Sequence, residues 1–196
     1  TSTFTIDTAL PTIDSVSVES EKTDDGKYKI TWSWTGTGDK YNVKLGDGGT
    51  YSSRENNSFT SIATVSSDTT YKLFVNAEDD AGNKSSSTIK SITIDVTPPS
   101  KVEIKPEFTT GTAPNTQDTQ PKFTWTDYTE EIEYYTVNLT QNDQSLEGYP
   151  KNVNDKYYIV SSDLPDGTYT ITVTATDESG NISGTSMGLE TFIGNY

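Results

Sequence analysis

Two sixteen-residue stretches of this chain match each other without a gap. The first begins at Asp68 and the second at Asp166, 98 positions later. Eight residues coincide, in the order Asp, Thr, Tyr, Val, Ala, Asp, Gly and Asn. A long match at one fixed spacing indicates tandem copies of one structural unit, and the spacing sets the length of that unit.

Apolar and polar side chains alternate within each copy. In the first copy Tyr71, Leu73 and Val75 face one way, and the residues between them face the other way. In the second copy every outward position from 170 to 176 is threonine. A period of two predicts a half-buried antiparallel strand. Residues 28–34 alternate likewise, Gly- and Asp-rich turns separate the runs, and no stretch has a helical period. We therefore expect an all-β protein of two tandem antiparallel β-sandwiches.

Weaker correspondences set the domain boundaries. Residues 30–32 resemble residues 123–125, which extends the repeat upstream. The predicted domains are residues 1–97 and 98–196. Residues 4–7 resemble residues 92–95, the end of the first domain. Residues 1–8 therefore either finish a preceding repeat or supply the first strand of this one.

The repeated motifs are similar to those of a known group of domains. Asp-x-x-Tyr-x-(Leu/Ile), at 68–73 and 166–171, resembles the tyrosine corner of immunoglobulin-like and fibronectin type III sandwiches. The ending Ala-x-Asp-x-x-Gly-Asn, followed by Ile-Asp-x-Thr-Pro-Pro, resembles bacterial immunoglobulin-like repeats. Those repeats occur in long surface adhesins and beside the catalytic domains of secreted glycan-degrading enzymes. The resemblance implies a secreted or surface-exposed bacterial multidomain protein.

Composition excludes several classes of function. The net charge is −15, which opposes binding to phosphate backbones and to anionic membranes. The chain has no cysteine and no histidine, so disulfides, thiolate chemistry and imidazole-dependent catalysis are excluded. No run of 18 apolar residues is present, so we expect no membrane insertion. We expect neither nucleic acid nor membrane as a partner.

Two clusters of acidic and amide side chains are candidates for calcium. Calcium requires several oxygen ligands that converge on one point. The alternative is that each cluster closes a hairpin turn, with Asp bonding the turn backbone and Gly-Asn tolerating positive φ. Neither cluster has full calcium-loop spacing, which favours the turn. No cofactor is expected, with calcium as the one candidate. The candidate residues are Asp79, Asp80, Asn83, Asp95, Asp177 and Asn181.

The aromatic residues fall into two groups. Trp32, Tyr71, Trp125 and Tyr169 occupy predicted inward positions, so we expect them to be structural and buried. For a second group, the alternation along the strands does not assign the side chains to the inner face, and these residues are the candidates for ligand binding. This second group is Tyr128, Tyr149, Tyr157 and Tyr158.

These observations favour a non-catalytic module. The expected role is a structural spacer or adhesive repeat of an extracellular or cell-surface protein, with neighbouring repeats, a glycan or a host surface protein as partners. The alternative is a glycan-binding or accessory module of a secreted polysaccharide-active enzyme. An enzyme is not expected, because neighbouring carboxylates such as Glu130 and Glu131 face opposite ways on a strand, whereas a glycosidase needs two that face each other.

Overall fold

The structure is a computed structural model, and it describes residues 6–107, 111–112, 115–126 and 131–194. The chain divides into two compact units, Thr1–Val96 and Thr97–Tyr196. The division falls one residue before the boundary expected from the repeat. Throughout the described ranges, no helix is long and apolar enough to cross a membrane.

The first domain is a sandwich of two antiparallel sheets. One sheet has the order β1-β2-β5 and the other has the order β4-β3-β6-β7. Every strand pair in both sheets is antiparallel. The strands are β1 (Ile13–Lys22), β2 (Tyr28–Gly36), β3 (Lys40–Leu45), β4 (Ser52–Arg54), β5 (Ser58–Ala63), β6 (Thr69–Glu78) and β7 (Thr88–Ile94).

The second domain repeats this arrangement and adds short strands at its edges. Its strands are β8 (Ile104–Glu107), β9 (Gly111–Thr112), β10 (Asn115–Thr116), β11 (Lys122–Trp125), β12 (Ile132–Gln141), β13 (Gln144–Ser145), β14 (Lys151–Val153), β15 (Tyr157–Ile159), β16 (Gly167–Asp177) and β17 (Leu189–Ile193). One sheet has the order β15-β11-β8, and the larger one follows the path β13-β12-β16-β17-β10-β9, with β14 also paired to β12. The β10–β17 pair is parallel. The predicted fold class is confirmed.

The alternation of apolar and polar residues in the repeat correctly indicates which side chains form the core. In β6 the side chains of Leu73, Val75 and Ala77 are buried, and in β16 those of Ile171 and Val173 are buried at the matching positions. The threonines of β16 lie on the opposite face of the sheet and most are only partly covered. Each domain has its own cluster of buried apolar side chains. Each sandwich therefore has a separate hydrophobic core.

Two of the buried tryptophans pack against tyrosines from the facing sheet. Trp125 contacts Tyr135 edge-on, with ring centroids 5.2 Å apart. In the first domain Trp32 and Trp34 are both buried, and Trp34 contacts Tyr41 at 5.7 Å. Edge-to-face pairs of this kind add stability beyond the area they bury.

The two corner tyrosines differ from each other. Tyr169 is buried, and its hydroxyl donates to the Pro165 carbonyl at 2.9 Å. Tyr71 is only partly buried and its hydroxyl bonds no described residue, which departs from the expectation of equal burial. The carbonyl four residues before Tyr71 belongs to Ser67, and it accepts a hydrogen bond from the Thr69 hydroxyl at 2.7 Å.

In the second domain, serine hydroxyls replace part of the backbone hydrogen-bond ladder between β16 and the segment that leads into β17. The Val173 N–H donates to Ser186 Oγ and the Ala175 N–H donates to Ser183 Oγ, both at 2.9 Å. The backbone N–H of each serine donates back to the carbonyl of the same β16 residue. These bonds hold residues 183–186 against β16 before β17 begins.

We expect Ser186→Ala to lower the free energy of unfolding of the second domain by about 1–3 kcal/mol, the cost of leaving a buried N–H without a partner. The matched control is Thr185→Ala, at an exposed neighbour, which should change it by less than about 0.5 kcal/mol. Urea unfolding of the two variants measures both values. Equal effects would mean that the Ser186 hydroxyl does not complete the ladder.

Candidate functional site

The turn after β6 is closed by the carboxylate of Asp79. Asp79 Oδ1 accepts the Asn83 backbone N–H at 2.8 Å, and Oδ2 accepts the Asn83 side-chain amide at 2.9 Å. Gly82 has a φ of 87°, which favours glycine at this position. The bonds from Asn83 hold the pKa of Asp79 below its ordinary value despite partial desolvation. Both carboxylate oxygens are therefore engaged within the turn.

The turn after β16 has the same construction. Asp177 Oδ1 accepts the Asn181 N–H at 2.8 Å, and Oδ2 accepts the Asn181 side-chain amide at 3.0 Å. Gly180 has a φ of 79°, matching Gly82. Asp177 is buried. The Asp–Asn pair of each copy therefore closes the same kind of turn in its own domain.

The calcium candidates of the first domain do not converge. Val96, next to Asp95, donates its N–H to Asp68 Oδ1 at 2.9 Å, so Asp95 lies near the start of β6. Asp79 and Asp80 lie beyond its other end. The ten residues of β6 span about 33 Å, far more than one coordination sphere. Asp80 donates its N–H to Asp39 Oδ2 at 2.8 Å. Within the described ranges, no group of three or more acidic side chains is placed to hold a metal ion.

The candidate ligand tyrosines lie in different environments. Tyr158 is buried in the core, and its hydroxyl is 2.9 Å from that of Tyr149. Burial, together with the bond to Tyr158, raises the pKa of Tyr149 above its ordinary value. Tyr157 is 42% exposed, with Lys122 Nζ 5.1 Å from its ring centroid. Tyr128 lies outside the described residues.

An open cleft of about 850 Å³ lies at one end of the first domain, where three loops meet. Its lining is polar and comes from Asp39, Lys40, Ser53, Arg54, Glu55, Asn56 and Asp80. Lys40 is paired with Glu78, 3.0 Å away. Hydrogen bonds from Asn42 and Lys40 lower the pKa of Glu78 to about 2. Lys40 and Glu78 thus form an ion pair on the outer side of the β3–β6 pair.

Sequence reasoning missed an aromatic cluster on the outer surface of the first domain. We call Lys44, Tyr51, Phe74 and Ile89 the aromatic face. Lys44 pairs with Phe74 across β3 and β6, and Phe74 pairs with Ile89 across β6 and β7. Lys44 Nζ is 4.0 Å from the Phe74 ring centroid and 5.4 Å from that of Tyr51. The signal for this cluster was Phe74, an aromatic residue in the outward phase of its strand.

Comparisons with known proteins found a family match for the second domain. Residues 97–192 match the family model of the bacterial Ig-like domain. No curated protein sequence matches the chain.

Two solved structures are similar to this chain over most of its length. The FN1–FN3 domains of chicken CNTN1 match with a TM-score of 0.47 and 14% identity, covering 95% of this chain and 68% of that one. The fibronectin(III)-like modules of Clostridium thermocellum CbhA match with a TM-score of 0.43 and 18% identity, covering 93% of each chain. The strand orders and the family match together show that the chain is a tandem pair of immunoglobulin/fibronectin III-like sandwiches, with residues 97–192 matching the bacterial Ig-like domain.

Proposed function

We propose that these two domains are non-catalytic structural modules of an extracellular or cell-surface bacterial protein. Their role is to carry and space the parts of that protein on either side of them. Their partners are then the neighbouring repeats of the same chain, and in an adhesin a glycan or host surface protein at its tip. The bacterial Ig-like family of the second domain supports this proposal.

One observation carries the proposal: both domains use the same polar side chains to complete the fold. Asp79 and Asn83 close one turn, and Asp177 and Asn181 close the other with the same four atoms in the same roles. Ser85 accepts the Ala77 N–H as Ser183 accepts that of Ala175, each at 2.9 Å. Side chains whose bonding capacity is used by the fold in both copies favour a structural role for the repeat.

Pulling the chain by its two ends in single-molecule force spectroscopy tests the spacing role. We expect two separate unfolding events, because each domain has its own core. Each event should release about 30 nm of contour length, because a domain of this size extends to about 35 nm at about 3.6 Å per residue, from which the length of the folded domain is subtracted. Marker domains of known length on both sides control for attachment. One event releasing both lengths together, or extension without measurable resistance, would contradict the proposal.

The alternative function is a glycan-binding or accessory module. One specific observation favours it, the aromatic face on the outer surface of the first domain. That surface is compatible with the spacing role, because none of its four residues belongs to the buried core.

A further inference from the structure

The ring of Tyr51 is held in a defined position on the surface. Its hydroxyl is 3.2 Å from Ser87 Oγ, so the side chain reaches from the segment before β4 to the segment before β7. Lys44 Nζ lies against the ring. The residue is nevertheless 47% exposed. An exposed aromatic ring that is tethered at its tip loses little conformational freedom when a ligand stacks on it.

The second domain shows that the fold does not require the aromatic face. Val43 pairs with Val75 in the first domain, and Val137 pairs with Val173 in the second. The adjacent pair along these strands has its side chains on the outer face of the sheet. It is Lys44 with Phe74 in the first domain and Asn138 with Thr172 in the second. The same scaffold thus carries Asn and Thr where the first domain carries Lys and Phe. A cluster of large apolar side chains on a solvated face, absent from the sister copy, is typical of an interaction surface.

The charge of this face differs from that of the whole chain. Lys44 makes no ion pair with a carboxylate among the described residues; its ammonium contacts two rings and the Asp47 carbonyl, 3.4 Å away. Lys72 lies on the same side of β6 as Phe74, and its contact with Asp47 Oδ2 is long, at 3.5 Å. In a chain of net charge −15, two lysines beside the exposed ring of Tyr51 and the half-buried ring of Phe74 mark a place that favours a negatively charged partner.

Polar groups border the aromatic face on the same sheet. Two residues from Lys44 and Phe74 along β3 and β6, the pair on the same outer face is Asn42 with Asn76. Their side chains hydrogen-bond each other at 3.1 Å. Amides beside an exposed ring can bond hydroxyl groups, while the ring stacks on the C–H face of a pyranose through its negative π surface. The combination of ring, amide and ammonium suits a sugar that carries a carboxylate.

We propose that the aromatic face binds a uronic-acid-containing polysaccharide. A pyranose ring stacks on Tyr51 beside Phe74, and its carboxylate pairs with Lys44 and Lys72. This adds a ligand surface to the first domain, and the spacing role does not depend on it.

Isothermal titration calorimetry of the intact chain with oligogalacturonate and with oligomeric alginate tests this proposal. We expect both to bind, with affinity that falls as salt is raised because the contact includes exposed charges. Tyr51→Ala and Lys44→Asn should each weaken binding at least about tenfold. Tyr51→Phe keeps the ring but removes its hydroxyl contact with Ser87, so its affinity should lie between those of the wild type and Tyr51→Ala.

The second domain supplies the matched control, since Tyr157 is also an exposed tyrosine beside a lysine. Tyr157→Ala should bind as the wild type does. Thermal melting of every variant checks that folding is intact. Failure of both uronates to bind, or equal weakening by Tyr157→Ala, would overturn the proposal. Equal binding of neutral dextran would mean that charge is not recognised, and equal binding of poly-L-glutamate would indicate an acidic protein partner; either result overturns it as well.

Discussion

Truncation of Tyr169 to alanine is expected to lower the free energy of unfolding of the second domain by about 3–5 kcal/mol, the range for removing a large buried aromatic side chain. Tyr169 lies in the core, and its hydroxyl bond to Pro165 fixes the corner before β16. Tyr169→Phe keeps the ring and removes only that bond, so it should cost about 1 kcal/mol. Urea-dependent hydrogen exchange, measured on peptides from each domain, gives both values.

Tyr71 provides the internal comparison. It occupies the same position in the repeat, but it is partly exposed and makes no corresponding bond. Tyr71→Ala should therefore destabilise the first domain by less than Tyr169→Ala destabilises the second, and Tyr71→Phe should have almost no effect. Equal costs at the two positions would contradict the different packing of the two corners.

Leu73→Ala and Ile171→Ala are expected to produce matching losses, each about 2–5 kcal/mol and each confined to its own domain. Both side chains are fully buried at equivalent positions of β6 and β16. They belong to different core clusters, so the cavity left by one substitution does not reach the other core.

The same exchange measurement distinguishes the two domains. After Leu73→Ala, peptides of the first domain should lose protection while those of the second keep theirs, and Ile171→Ala should give the reverse. Loss of protection in both domains from either substitution would mean that the chain folds as one cooperative unit, and the account of two separate cores would be wrong.

Much of the fold could be predicted because the strands are half-buried. A strand with one face in the core and one in water must alternate, and β6 and β16 alternate in the same phase in both copies of the repeat. The turn residues were predictable for a local reason as well. Asp and Gly-Asn at fixed positions satisfy the turn by themselves, so no distant residue decides their conformation.

Features that depend on distant contacts could not be predicted. The parallel pair between β10 and β17 joins segments far apart in sequence, and neither short strand segment carries a periodic signal.

The aromatic face could likewise be predicted only in part from the sequence. Phe74 could be assigned to the outer face from the alternation of β6. The position of Tyr51 could not, because it lies outside a regular strand and crosses the sheet to reach Ser87. The separation of Asp95 from Asp79, by contrast, could be predicted from the fold class, because the hairpin after β6 and the end of β7 lie at opposite ends of such a sandwich.

Thermal melting of the wild type and of Asp177→Ala, each with EDTA and with about 5 mM calcium, tests most directly whether the polar residues shared by the two copies of the repeat are structural. That calcium concentration covers the weak range of extracellular modules. If Asp177 only closes its turn, the substitution lowers the melting midpoint of the second domain equally with and without calcium, and calcium leaves the wild-type midpoint unchanged. A calcium-dependent rise of the wild-type midpoint that Asp177→Ala abolishes would contradict the account, because a ligand that binds only the folded state raises the midpoint.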